Sequence, residues 1–199
     1  MKLTTLTLPL VGLAALVALA GCSAPATTPA PAATTSASAP AASDVLASLG
    51  LSGLSGQQIV EKLDQDPTAR PLQMKASVRP DHVIVGDGKA ETSVPLSGAN
   101  EFYLSIAPFA SQTHDCYFHS LATCKGELAN TSVHVTITDA AGATLVDADA
   151  TTYANGFVGF WLPRDISGTV TVTVDGKTGS VPFATGAEDA TCLTTLQVK

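Results

Sequence analysis

The sequence predicts an α+β protein: a small helical and β unit over residues 44–97, then a mostly β, sandwich-like domain over residues 98–199. Three observations predict it. Apolar residues recur at helical spacing only between residues 45 and 63. From residue 101 onward, short runs rich in Val, Thr, Ile and aromatics alternate apolar and polar positions. Gly-containing turn signals separate those runs at Ala141-Gly142, Asn155-Gly156, Asp175-Gly176 and Thr185-Gly186.

Asp44 is a candidate cap for a short helix carrying Val45, Leu46 and Leu49, which Gly50 and Gly53 interrupt. Ser55 is a second candidate cap, followed by the apolar stripe Ile59, Val60 and Leu63. Asp66-Pro67 closes that helix, because the residue before proline disfavours the α region. LQMKASVR (72–79), HVIVGD (82–87) and ETSVPL (91–96) read as strands, with Gly86-Asp87-Gly88 turning the chain between the last two. His82 and Met74 fall in this unit and are read as core or surface residues. Past Gly98, EFYLSIAPF, SVHVTITDA, ATLVDADATT, FVGFWL, GTVTVTVDG, TGSVPFA and CLTTLQV are the predicted strands. Val133, Val135 and Ile137 share one face, as do Val170, Val172 and Val174, so His134 belongs to the solvent register. Pro163-Arg164-Asp165 reads as a turn, with Arg164 paired to Asp165 or a nearby acid at the surface.

The leader sets the compartment. Lys2 precedes an apolar run from Leu8 to Ala20, a length that suits a signal-peptide core better than a bilayer span. It ends in Leu19-Ala20-Gly21-Cys22, the order of a bacterial lipobox. Residues 1–21 are therefore expected to be a lipoprotein signal peptide and Cys22 the lipidated residue, anchoring the chain to the membrane outside the cytoplasm. Residues 22–43 hold no charge and no aromatic; Pro, Ala, Ser and Thr alone bury too little surface to offset chain entropy, so a disordered tether is expected. The chain has 10 basic and 17 acidic residues; removing residues 1–21 takes Lys2 and leaves 9 against 17, a net of −8. That balance argues against nucleic acid as a partner and against electrostatic attraction to anionic lipid.

With Cys22 committed to lipid, Cys116, Cys124 and Cys192 remain, and an odd number of thiols outside the cytosol is not a pure disulfide framework. Two of them lie in HDCYFHSLATC (114–124), inside the long connection 111–127; connections beyond about a dozen residues tend to be functional. In a helical turn His119 would lie over Cys116 at i,i+3; in an extended segment His114 would share a face with Cys116. Three sulfurs, or two sulfurs and an imidazole, suit Cu(I) well and Zn(II) acceptably. Tyr117, Phe118, Phe102 and Trp161 are candidates for an apolar wall. Two thiols closing a disulfide supply two electrons, enough to reduce two Cu(II). Metal binding, a Cys116–Cys124 staple with Cys192 inert, and thiol–disulfide exchange all stay open on these residues alone.

FYLSIAPFASQTHDCYFHSLATCKGEL, with VHVTITD, GFVGFWLPRDISGTVTV and PFATG…TCLTTL, resembles the CueP family of periplasmic copper-binding proteins. The resemblance implies a copper-resistance protein that binds copper through Cys116, Cys124 and Cys192 with a histidine nearby; His119 and His114 are the candidates, and the donor chemistry points to Cu(I). It also implies reduction of Cu(II), and of Fe(III), by the thiols, and copper supply to a periplasmic superoxide dismutase client. A homodimer assembled with help from the smaller N-terminal part is implied too. The LAGC stretch departs from the soluble members, since an anchored chain cannot diffuse to distant clients. The expected function is thus an envelope copper-capturing lipoprotein, the alternative a thiol-dependent metal reductase or disulfide-exchange protein.

Overall fold

A computed structural model describes residues 41–96, 98 and 100–199 of the chain. The signal segment, Cys22 and most of the tether lie outside the described residues. Helix α1 spans Ala42–Ser48 and α2 spans Gly56–Asp64. Ser55 caps α2 as its sequence predicts: its hydroxyl accepts the Gln58 N–H at 3.2 Å, and Gln58 Oε1 accepts the Ser55 N–H at 2.9 Å. Asp44 is not a cap. The N-cap of α1 is Ala41, and Asp44 sits in the first helical turn, where its charge meets the positive end of the helix.

Three strands follow, β1 Lys75–Val78, β2 His82–Gly86 and β3 Glu91–Pro95, pairing antiparallel in chain order. Seven more make two further sheets: β4 Glu101–Ile106, β5 Ser132–Asp139, β6 Thr144–Thr151, β7 Val158–Pro163, β8 Ser167–Val174, β9 Lys177–Ala184 and β10 Cys192–Leu193. Their orders are β10-β4-β7 and β6-β5-β8-β9. The α+β arrangement expected from the sequence is the one observed.

Strand β4 explains how the layers stack. Phe102, Leu104 and Ile106 face the four-stranded sheet and join Val133, Val135, Ile137, Val170 and Val172 in one core. Tyr103, one residue out of phase, joins Ile59, Val60, Leu63, Val83 and Val85 in a second core under the helices. Period-two alternation thus sends one strand's side chains into two cores, and five of its six residues are buried. Strand β10 runs parallel to β4, setting Cys192 opposite Ser105.

His134 is at the surface, between Asp149 at 2.8 Å and Asp147 at 2.9 Å, as its register predicts. Met74 is partly buried against the second core, and His82 bonds Asp81 at 2.6 Å. Arg164 departs from expectation: its guanidinium donates to the Pro80 carbonyl at 2.5 Å, while Asp165 turns the chain at φ 57°.

The long connection between β4 and β5 is tied down by backbone bonds. Val78 N–H donates to His119 O at 2.8 Å, Leu72 N–H to Ala122 O at 2.8 Å, and Gly126 N–H to Asn155 O at 2.7 Å. Gly126 and Gly156 pass so closely that a Cβ on either would collide with the other's carbonyl, and Gly156 also needs φ +81°. Gly156→Ala is expected to destabilise the protein by about 1–3 kcal/mol, read as a lowered urea midpoint. An unchanged midpoint would show that the two backbones can part at no cost.

Candidate metal centre

The thiols reach one place from three directions. Cys116 lies in the irregular part of the β4–β5 connection. Cys124 closes a turn in which its N–H donates to Ser120 O at 3.1 Å. Cys192 opens β10 and donates its N–H to Tyr117 O at 3.1 Å. All three are free cysteines, and Cys116 Sγ lies 3.5 Å from Cys124 Sγ.

Residues 114–121 do not form a helical turn, so His119 does not stack over Cys116 at i,i+3. Both histidines nevertheless reach the sulfurs, each in its own donor set. One set of donor atoms within 4.8 Å of one another is His114, Cys116 and Cys124; a second is His119, Cys124 and Cys192. Cys124 belongs to both. Donors around a trigonal ion at bond lengths near 2.0–2.3 Å sit about 4 Å apart, so either set closes on an ion with a small contraction.

His119 is wholly buried and fixed on every side. Its backbone N–H donates to Thr191 Oγ1 at 3.0 Å, and Nε2 bonds Asp64 Oδ1 at 2.9 Å. That leaves Nδ1 facing Cys192 Sγ at 3.8 Å. A carboxylate on the far nitrogen fixes a histidine's tautomer and ring plane for ligation. Asp64, also wholly buried, accepts from Tyr103 Oη at 2.6 Å and Asn155 Nδ2 at 2.6 Å as well. The sequence reading passed over Asp64. The available signal was its register: four residues after Val60, it falls on the apolar stripe of α2, where an acid needs partners. Arg70 was missed too; its buried guanidinium donates to Leu63 O at 2.7 Å and Leu121 O at 2.9 Å, joining the end of α2 to the turn carrying Cys124.

The apolar wall differs from the expected one. Phe102 and Trp161 face the two larger cores, one on each side of the middle sheet. Tyr117 is 55% exposed. The bed under the sulfurs is Phe157 with Ala107. Phe157's ring centroid lies 4.4 Å from that of His119 and 6.2 Å from that of His114.

The charges are coupled. Cys124 is the thiol that ionises first, held far below its ordinary value by hydrogen bonds from Cys116 and Cys192 and by the His119 ring. Cys116, whose sulfur lies 3.5 Å from that one, is pushed up to about 12. Cys192 is pushed up by the same two sulfurs and by burial. Burial opposes charge on His119, but the Asp64 carboxylate overrides it and raises the pKa to about 9. Burial likewise opposes charge on Asp64, and His119, Tyr103 and Asn155 lower its pKa in spite of it.

These shifts give the metal-free protein a pH dependence. A raised histidine pKa stabilises fully below the unfolded value of 6.5, and the contribution is lost as pH rises through about 9. Asp64 works in the opposite sense: its contribution is present above 3.8 and is lost as pH falls through its lowered value. The urea midpoint of the metal-free protein should therefore fall between pH 6.5 and 9. A flat midpoint across that interval would mean that His119 is buried neutral.

An open hollow of about 610 Å³ leads to the sulfurs; His114, Cys116, Phe118, Thr123, Cys124 and Lys125 are among the residues lining it. A comparable hollow of about 670 Å³ lies over Ser132, His134 and Asp149 but offers no thiol.

Comparison with known proteins fits this chemistry. A family profile described as "Periplasmic copper-binding protein CueP" matches residues 58–197. A solved structure described as "Crystal Structure of S.CueP" is similar at 42% identity and a TM-score of 0.76, covering 81% of this chain and 100% of that one. No curated protein matches.

Proposed function

The chain belongs to the CueP family of periplasmic copper-binding proteins, and from that premise we propose that it captures copper in the cell envelope as Cu(I) and so contributes to copper resistance. The observation that carries the reading is the convergence of three free thiols and two imidazoles on an apolar bed. Thiolate and imidazole suit Cu(I), whereas Cu(II) prefers tetragonal nitrogen and oxygen sets. Copper displaces protons from thiol and from the His119 imidazolium when it binds. Two thiolates and a neutral imidazole around Cu(I) carry one net negative charge. Asp64 holds His119 with Nδ1 turned toward that ion. Zn(II) can use the same donors and is a competitor.

Lipidation at Cys22 would hold this domain near the membrane through the segment 22–43. Capture at the envelope fits that placement better than delivery to a distant superoxide dismutase. A homodimer is compatible with it and is tested by the oligomeric state in solution.

Reduction of Cu(II) is a second reading, favoured by the 3.5 Å approach of Cys116 and Cys124. Closing that pair as a disulfide supplies two electrons, which reduce two Cu(II) to Cu(I), and releases the proton that the pair holds. Cys192 stays a thiol. If each single Cys→Ser variant reduces Cu(II) as the parent does, this reading is wrong.

Anaerobic titration with Cu(I), read by X-ray absorption and by counting protected thiols, tests the capture reading. One ion per chain in a sulfur-dominated shell is expected. No uptake, with one free thiol left after mild oxidation, would identify the cysteines as a staple instead.

A further inference from the structure

Resting on the Cu(I) reading of this site, we propose that its two donor sets are successive stations for one ion. Copper is taken first by His114, Cys116 and Cys124 at the floor of the hollow. It then moves to His119, Cys124 and Cys192, with the Cys124 sulfur bonded throughout.

Burial runs in that order. His114 and Cys116 are half-buried, Cys124 is 9% exposed, Cys192 3% and His119 0%. The hollow is lined by all three donors of the first set, and of the second set only Cys124 lines it. An ion from solvent therefore meets the outer donors before it can meet the inner ones. His114 supplies an independent observation: its Nε2 is the one buried side-chain nitrogen or oxygen among the described residues without a hydrogen-bond partner. Such an atom is costly unless something supplies a partner, and a soft cation between Cys116 and Cys124 is that partner. Phe157 packs against both imidazoles, and each histidine belongs to one donor set only.

The transfer is a ligand exchange. The bonds from copper to His114 and Cys116 break, and bonds to His119 and Cys192 form. Cys192 and His119 Nδ1 each give up a proton as they bond the ion; Cys116 regains one, the other leaves to solvent through the hollow, and copper remains Cu(I). Because one bond persists throughout, the ion is never released between stations.

The test is stopped-flow transfer of Cu(I) from a chromophoric Cu(I) chelator to the full chain in detergent, without oxygen. His114→Ala is expected to slow loading about tenfold or more, the scale on which support of a metal site changes. Release should slow with it, so that affinity moves less than threefold. His119→Ala should leave the first capture phase within twofold of the parent and weaken equilibrium affinity about 10–100-fold. Cys192→Ser checks that result without touching the buried histidine: it should keep the fast phase and lose the slow, tight one. His114→Ala loading at the parental rate would overturn the proposal, as would two Cu(I) held together by the parent. If the parent takes up no Cu(I), the capture reading itself fails and the path with it.

Discussion

Cys124→Ser is expected to abolish tight Cu(I) binding, with a loss of affinity of more than about 100-fold. The reason is geometric. Cys124 is the one donor common to both sets, so its removal leaves each set with a single sulfur and a single imidazole. Its pKa is also lowered by its sulfur neighbours and the His119 ring, and Ser120 N–H points at its sulfur from 3.4 Å. A hydroxyl in its place is a poor ligand for a soft ion and stays protonated. Cys116→Ser and Cys192→Ser each spare one complete set, so their losses should be smaller than that of Cys124→Ser. Competition with a Cu(I) chelator, beside circular dichroism of the metal-free variants, checks the ranking. Equal losses in all three variants would mean that the sulfurs act as one trigonal set.

Asp64→Ala should carry the largest stability cost, about 3–5 kcal/mol, because it breaks a buried charge pair by removing one partner. It strips His119 Nε2, Tyr103 Oη and Asn155 Nδ2 of their acceptor within one sealed volume. The effect should also be felt by copper: without the carboxylate His119 is free to turn, and affinity falls about 10–100-fold. Asp64→Asn separates the two effects. It keeps the shape and part of the bonding, so it should recover stability ahead of affinity. Urea unfolding of the metal-free variants and chelator competition read these separately. A stability loss under about 1 kcal/mol in Asp64→Ala would show that water replaces the carboxylate.

How much of this was legible in the sequence depended on the range of the interaction. Ser55 and the stripe Ile59, Val60 and Leu63 fix α2 locally, and the strands announced themselves by alternation, because each signal lies within a few residues. The placement of Asp44 failed because a cap and a first-turn acid lie within one turn of each other, here three positions apart. Cys116, Cys124 and the two histidines stood out as a dense cluster of soft donors, but their grouping did not. It is set by contacts such as Val78 with His119 and Thr191 with His119, which span 41 to 72 residues. Asp64 was hidden for the same reason: its partners Tyr103, His119 and Asn155 lie 39, 55 and 91 residues away. Phe102 and Trp161 were assigned to the site because sequence proximity and composition say nothing about which side of a sheet a ring occupies.

Strand β4 serves two hydrophobic layers at once. Neither layer can open and leave the other intact, since the loss of one strand exposes apolar surface on both sides. Heating should therefore disrupt the helices, the middle sheet and the outer sheet in a single cooperative melt. The helix bearing Asp64 and the strand bearing Cys192 both lean on β4. The chain would then hold its cargo up to that one transition and surrender it there, with no half-open state from which copper leaks.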